Sequence, residues 1–377
     1  MIGDLLPSIE EQLLGRAVHD LLTPADRAAF AGRRLLVTGA GGSVGSEIAR
    51  QLAAAGPARL TLFDHSEYAV FAIERELRAR HEGLEIDALV GDVTRRVDIR
   101  AACRAARPHA VYHAAAYKHV PIAERSIVPA VRVNVLGALE AAMAARELAA
   151  RFVLISTDKA AQPRSVMGAT KRLAEMAVLG LVSATFRPVA VRFGNILGSS
   201  GSLVEIMARS VREGRNIPVT HPDATRFFMT AAEAASLVLK ADLIGGRGAV
   251  YWLDMGEPLR IGDLVERFLA CATPAGQPPV GTDVIGLRPG EKMREELTIQ
   301  GLAMRSTAHP RIWAARQRGV GGDDIGRVVR AIRRAVAAGD AARALTALET
   351  AIDGYSPSTA AWAAACPVRT PALRAAA

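Results

Sequence analysis

The chain runs to 377 residues, half of them hydrophobic, with a formal net charge of +9. Such a length and apolar content suit a large α/β body with an appended lobe. The charge is carried almost wholly by arginine, with no basic run interleaved with aromatics, so a nucleic-acid partner is not expected and an anionic small molecule is.

Cys103, Cys271 and Cys366 are widely separated and show no C-x-x-C spacing, which argues against a disulfide frame and a zinc site; no metal is expected. No run of about 18 apolar residues and no basic-then-apolar leader is found, so a soluble, cytoplasmic chain without membrane insertion of its own is expected.

In chain order, residues 1–31 read as one or two short amphipathic helices with apolar positions at Leu5, Ile9, Leu13, Leu14, Leu21 and Leu22. The run Thr23-Pro24-Ala25-Asp26 caps the second. From Arg33 short apolar strands alternate with helices: strand 34–39, helix 43–55, strand 59–64, helix 67–81, then strands 86–92, 110–116 and 151–157 with helices between. Strands near 189–193 and 250–254 extend the set. Continuous apolar strands separated by helices imply a parallel sheet covered on both faces. After Gly194, Gly- and Pro-rich loops suggest a smaller interleaved lobe. The tail from about 325 is Ala- and Arg-rich and helical, and its last stretch, "CPVRTPALRAAA", reads as disordered.

"VTGAGGSVGSEIARQL" places Gly39, Gly42 and Gly45 at G-x-x-G-x-x-G spacing, after a strand and at the start of a helix. That context fits a turn whose backbone approaches a pyrophosphate at a helix N-terminus. Asp64, ending the second strand, can accept both ribose hydroxyls of an adenosine and would repel a 2′-phosphate, which favours NAD over NADP. Asp92 and Val93 can frame the adenine, although Asp92 equally suits a helix N-cap. Ser43 and Val44 inside the turn, and Ala114 and Ala115 after the fourth strand, complete the expected cofactor contacts. The fold expected is α/β, a Rossmann-type doubly wound parallel sheet with a smaller interleaved substrate-binding lobe. Its divisions are a helical linker over 1–31, an NAD-binding domain over 32–193, a substrate lobe with returning strands over 194–325 and a helical tail over 326–377. The glycine spacing is the form used by the short-chain dehydrogenase/reductase superfamily, in particular its extended, sugar-nucleotide branch.

"HAAAYKHVP" (113–121), "NVLGALEAA" (134–142), "ISTDKA" with "VMGATKR", "VRFGNILGSSGS" (191–202), "THPDATRFFMT" (220–230) and "GLRPGEKMREEL" (286–297) follow the glycine motif in order. Together they resemble the catalytic half of the CapD-like polysaccharide-biosynthesis proteins, the UDP-N-acetylglucosamine 4,6-dehydratases. The match runs from about Ile9 to about Leu297, without the membrane half that precedes it in long members.

That reaction oxidises C4 of a hexose, removes the C5 proton, expels the C6 hydroxyl and returns the hydride to C6. The elimination needs an acid and a base side by side, and Asp158-Lys159 after Thr157 is such a pair, at the end of a strand where parallel sheets carry ligands. The resemblance implies Asp158 as the C6 acid and Lys159 as the C5 base. The slot four residues before Lys171, which holds tyrosine in many nicotinamide enzymes, holds Met167, and a thioether is no base. The resemblance implies that such a site stays active, with Thr157 holding O4 and Lys171 gripping the nicotinamide ribose. Five lysines occur in all, and four of them, Lys118, Lys159, Lys171 and Lys292, fall inside motif blocks. Lys118 is expected near the sugar or nicotinamide, or else is a plain loop charge.

On the substrate side the resemblance implies Asn195 as a donor to the diphosphate. Arg226 and Arg288 suit a nucleoside diphosphate as forked donors, although Arg226 could instead pair with Asp223. Glu291 would accept the uridine ribose hydroxyls, and the extended piece 217–220 could meet the uracil edge. The expected ligands are thus NAD and a UDP-sugar, in a homo-oligomer. Two rivals stand beside this reading. A C4 epimerase would need a tyrosine for O4 and no elimination pair; a non-catalytic dinucleotide sensor would have no use for "GLRPGEK" and "RFGN".

Overall fold

The computed structural model describes residues 9–246, 248–272, 280–296, 304–316 and 322–366. Leu5 and the stretch 367–377, for which a helix and disorder are expected, lie outside the described residues. The core is a sheet of strands Arg34–Thr38 (β1), Arg59–Asp64 (β2), Ile86–Val90 (β3), Ala110–His113 (β4), Arg151–Ile155 (β5), Val189–Arg192 (β6), Ala249–Leu253 (β7), Met304–Ser306 (β8) and Ile312–Arg316 (β9). Their spatial order is β8-β9-β7-β6-β5-β4-β1-β2-β3. The seven strands from β3 to β7 are parallel, and β9 and β8 add an antiparallel edge that the strand pattern does not announce. Order reverses between β1 and β4, and ligands settle in the crevice at the carboxyl ends there.

Helices cover both faces. Ser43–Ala54 (α1), Glu67–Arg80 (α2) and Ala231–Ile244 pack on one, through Ile48, Leu52, Ile73, Leu77 and Leu237. Arg96–Ala106 (α3), the helical run Ile127–Glu147 (α4) and Val166–Leu179 (α5) pack on the other. Alanines at 138, 141, 142, 144 and 145 let α4 lie close to the strands. By length and composition α4 could cross a membrane, against the expectation that no such run exists, but 72% of its apolar window is buried. That is the position of a core helix.

Residues 132–137 of α4 form a π turn, whose extra residue rotates Asn134 into the interior. The lobe joins helices Leu203–Arg212 and Ile261–Ala272 to short strands Ile217–Val219 and Thr282–Val284, paired in parallel. One edge of 217–219 is therefore taken by protein. Ile9, Leu13 and Leu14 pack into this lobe's core, while the C-terminal helices Gly322–Ala337, Ala341–Ala351 and Thr359–Ala365 cover α4 and α5.

Candidate active site

The dinucleotide cradle is made of backbone. Gly39 has φ +68°, and a Cβ there would lie 2.5 Å from the Ala115 nitrogen; at Gly45 it would lie 2.0 Å from the Gly39 carbonyl oxygen. Only glycine permits both the turn and the close strand–helix contact. Gly42 is the N-cap of α1 and supplies no side-chain acceptor, so the first amides of the helix are left for an anion. In front lies a cavity of about 280 Å³, lined among others by Asp64, Ser66, Asp92, Val93, Ala114 and Ala115.

Asp64 is buried at the end of β2. Its carboxylate accepts from the amides of Gly41 and Ser66, each at 3.0 Å, which fixes its orientation at the cavity edge. Asp92 is not the cap of α3, whose N-cap is Arg95; its Oδ1 instead accepts from Thr94 N at 2.8 Å. Ser43 Oγ accepts from Ser200 N at 3.2 Å, so the lobe's 198–202 loop rests on the glycine turn, and Val44 packs toward the core. A glycine-shaped turn, open helix amides and an acid at the far wall fit a dinucleotide.

Beyond β5, Thr157 starts a short 3-10 turn, Asp158–Ala160. Asp158 is 1% exposed. Its Oδ1 accepts from Thr157 Oγ1 at 2.8 Å, from Lys159 N at 2.8 Å and from Lys159 Nζ at 3.1 Å. Its Oδ2 is buried and has no partner among the described residues. The Lys159 ammonium also donates to Asn195 Oδ1 at 3.0 Å and lies 3.5 Å from Glu295 Oε1. Burial pulls the Lys159 proton affinity down, but the Asp158 and Glu295 carboxylates outweigh it and leave the pKa above its ordinary value. The lysine is thus held charged.

The start of α5 is built differently. Ser165 caps it, accepting from Gly168 N at 3.1 Å, and Glu124 Oε1 accepts from Val166 N at 2.6 Å. Met167 is 4% exposed and lies within an apolar cluster with Val166, Ala169 and Leu173. Lys171 Nζ donates to the Ile155 carbonyl at 2.5 Å, and among the described residues it forms no ion pair with a carboxylate. Burial, only partly opposed by Glu175, lowers its pKa to about 8. His113 is likewise pushed to about 3, by burial and by the Lys171 charge, so it is neutral and keeps its bond to Thr38 Oγ1 at 2.8 Å.

Of the expected residues, Thr157, Asp158, Lys159, Asn195 and Arg226 come together in one cluster. Asn195 spends its side-chain oxygen on Lys159. Arg226 faces Glu295 at 3.6 Å and not Asp223, which pairs with Arg260. Arg288 and Glu291 pair with each other, Nε to Oε1 at 2.9 Å, on a loop resting on the start of α5, where Gly290 meets Ser165. Lys118 is exposed on its loop, yet desolvation by the surrounding atoms lowers its pKa against the pull of Glu205. With Arg288 it bears on His119, whose pKa falls through burial and those two charges.

Two residues of this region escape sequence reasoning. Glu295 sits inside a motif block, but nothing local marks its partner. Asn134 clamps the Tyr117 backbone, N–H at 2.8 Å and C=O at 3.0 Å, and donates to Thr170 Oγ1 at 2.9 Å; the polar residue in an apolar helix was its only signal.

Residues 35–317 match the model of a family described as polysaccharide biosynthesis protein. The capsular polysaccharide biosynthesis protein CapD of Staphylococcus aureus is 41% identical over 291 residues, 76% of this chain and 48% of that protein. The probable polysaccharide biosynthesis protein EpsC of Bacillus subtilis (strain 168) is 42% identical over 306 residues, 80% of this chain and 51% of its own length. The chain thus spans about half the length of these relatives. Among solved structures, Pen from Bacillus thuringiensis superposes with a TM-score of 0.70 at 25% identity, covering 80% of this chain and 98% of Pen. A double mutant of DesIV, a dTDP-glucose 4,6-dehydratase from Streptomyces venezuelae with NAD and DAU bound, gives 0.61 at 22%, covering 70% and 88%.

Proposed function

The chain belongs to the polysaccharide biosynthesis protein family, and on that premise we propose that it converts UDP-N-acetylglucosamine to a UDP-4-keto-6-deoxy sugar by 4,6-dehydration. At the coarser level it is a nucleotide-sugar-modifying enzyme of the extended short-chain dehydrogenase/reductase superfamily, with NAD as cofactor. The glycine turn and the α1 amides would hold the pyrophosphate and Asp64 the adenosine ribose. The chemistry NAD supplies when bound is hydride acceptance from C4 and its return to C6.

The observation that carries the dehydratase reading is the buried Asp158–Lys159 pair beside a tyrosine slot filled by apolar Met167. An epimerase has no use for an acid–base pair next to C5 and C6. Thr157, bonded to Asp158 at 2.8 Å, takes the O4 proton and passes its own to that carboxylate. Asp158, now protonated, is the acid for the departing C6 hydroxyl. Lys159 removes the C5 proton, made acidic by the C4 ketone. Lys171 holds the nicotinamide ribose hydroxyls and the Ile155 carbonyl. Arg226, Arg288 and Asn195 serve the diphosphate side and Lys118 the sugar or the nicotinamide, with Glu291 for the uridine ribose once its pairing with Arg288 opens.

The test is to incubate the purified protein with UDP-N-acetylglucosamine in D2O and read the product by mass and NMR. Loss of water, deuterium at C5 and no net reduction of added NAD are expected. An unchanged sugar mass with inverted C4 would make it an epimerase, and stoichiometric NAD reduction a simple dehydrogenase.

A further inference from the structure

Lys159 begins as an ammonium and must become an amine before it can take a proton from C5. Among the described residues its ammonium donates to Asp158 Oδ1 and Asn195 Oδ1 and forms an ion pair with Glu295 Oε1 at 3.5 Å. An amide oxygen does not hold a proton at neutral pH. Asp158 already accepts at Oδ1 from Thr157 and from the Lys159 amide, and in the dehydratase reading it must store the O4 proton for the C6 hydroxyl.

We propose that Glu295 receives the ammonium proton of Lys159 and thereby releases Lys159 as the C5 base. The inference rests on the dehydratase reading and adds a residue to it. Glu295 acts through Lys159 and is a positioning residue that also stores a proton.

Three observations support it. Glu295 has a 4% exposed side chain, and its Oε2 is buried with no partner among the described residues. A buried carboxylate with an unpaired oxygen lowers its cost by becoming a neutral acid. Its backbone is also fixed by the two residues before it. Thr225 N donates to Met293 O at 2.8 Å, and Thr225 forms a parallel bridge with Arg294, so Glu295 arrives beside Arg226 and Lys159 by main-chain pairing. Finally, the groups facing Lys159 are Asp158, Asn195 and Glu295, with Arg226 behind Glu295 at 3.6 Å. The Glu295 carboxylate thus lies between two cations, Lys159 at 3.5 Å and Arg226 at 3.6 Å.

The protons balance. O4–H reaches Asp158 through Thr157 as the C4 hydride leaves. The Lys159 N–H bond breaks toward Glu295, and the freed amine lone pair takes the C5 proton. The C5–H electron pair forms the C5–C6 double bond, and the C6–O pair leaves with the Asp158 proton as water. Hydride return to C6 is matched by a proton from Lys159 to C5, after which Glu295 gives its proton back to Lys159.

The experiment uses the full chain with its retained NAD, UDP-N-acetylglucosamine in D2O, and the single-turnover rate at which solvent deuterium enters C5. Glu295→Gln should lose on the order of 10²-fold at pH 7. Its rate should then climb about tenfold per pH unit toward pH 9, as Lys159 loses its proton to solvent instead, while the wild type stays flat. Glu295→Asp, which keeps an acceptor, should recover part of the loss. If Glu295→Gln matches or exceeds wild type at pH 7, Glu295 only neutralises Lys159 and the proposal is overturned. Equal losses in both variants with flat pH profiles, or loss of NAD, would make the residue structural and overturn it too. A wild type that turns over beside an unaffected Gln variant sinks Glu295 alone; a wild type that forms no 4-keto product sinks the dehydratase reading and this step with it.

Discussion

The turn after β5 and the N-terminal half of α5 each take a lysine largely out of water, and the net pKa shift has the opposite sign in the two places. Lys159 is surrounded by carboxylates and stays charged with a raised pKa; Lys171 meets a carbonyl and an apolar wall, and its pKa falls to about 8. In the proposed reaction the first region would move protons among side chains, and the second would present a single polarising group beside the cofactor. Depth alone does not set the charge state. The number of buried carboxylates within reach does.

Removing the wired side should cost most. Lys159→Ala should abolish C5 proton exchange and Asp158→Asn loss of the C6 hydroxyl, each lowering turnover on the order of 10²–10⁴-fold. Turnover of both variants with retained NAD as the folding check decides this; an active Lys159→Ala would remove the distinction between the two regions.

The second test sharpens it through pH. The folded pKa of Lys171, about 8, lies below the ordinary lysine value of 10.5, so below pH 8 both states are protonated and the folded state carries the full cost of a buried charge. Between about 8 and 10.5 the unfolded chain binds more protons and stability rises with pH. Lys171→Met lacks this term. The difference in unfolding free energy between variant and wild type should therefore change by about 3 kcal/mol across that window, in favour of wild type. Denaturant titrations at several pH values measure it, and a flat difference would mean that Lys171 is charged like Lys159.

A smaller effect is expected from Asn134→Ala, which frees the Tyr117 loop from α5 and strands two backbone groups and Thr170. It should cost about 1–3 kcal/mol of stability by denaturant unfolding. Smallest of all, Met167→Leu conserves volume and apolarity, and should cost under about 1.5 kcal/mol and leave turnover within a few-fold. A loss as large as that of Lys159→Ala would give the thioether a chemical part.

Sequence legibility follows the same division. The cradle is local: Gly39, Gly42 and Gly45 follow one another at the strand–helix turn and Asp64 ends the next strand, so spacing alone places Gly39, Gly42 and Asp64 on one cavity, with Gly45 packed behind the turn. The parallel order of β3 to β7 was legible for a similar reason, since each strand and its helix carry their own apolar pattern. The antiparallel β8 and β9 were not, because β8 is only three residues long and β9 follows it with no helix between them to mark either as a sheet strand. Nor was the proton cluster complete. Asp158 and Lys159 are neighbours in sequence, but Glu295 reaches them only after the lobe has folded back through Thr225. Nearness also misleads: Asp223 looks like the partner of Arg226 and belongs to Arg260. Asn134 was hidden because one extra residue in a π turn leaves no mark on an otherwise ordinary helical sequence.

Glu124 ties three distant parts of the chain together. One carboxylate oxygen takes the Val166 amide that opens α5, and the other takes the Ser358 hydroxyl that caps the last described helix. A ribosome makes the chain from its amino end, so the cradle and the Asp158 turn are already outside while Ser358 is still to be added. The residues that line the dinucleotide pocket are therefore all made well before the contact that completes the fastening of the helix bearing Met167 and Lys171. Any nick or stop codon ahead of residue 358 would leave that helix start with half of its clasp, in a protein whose cofactor cradle is built from residues made long before.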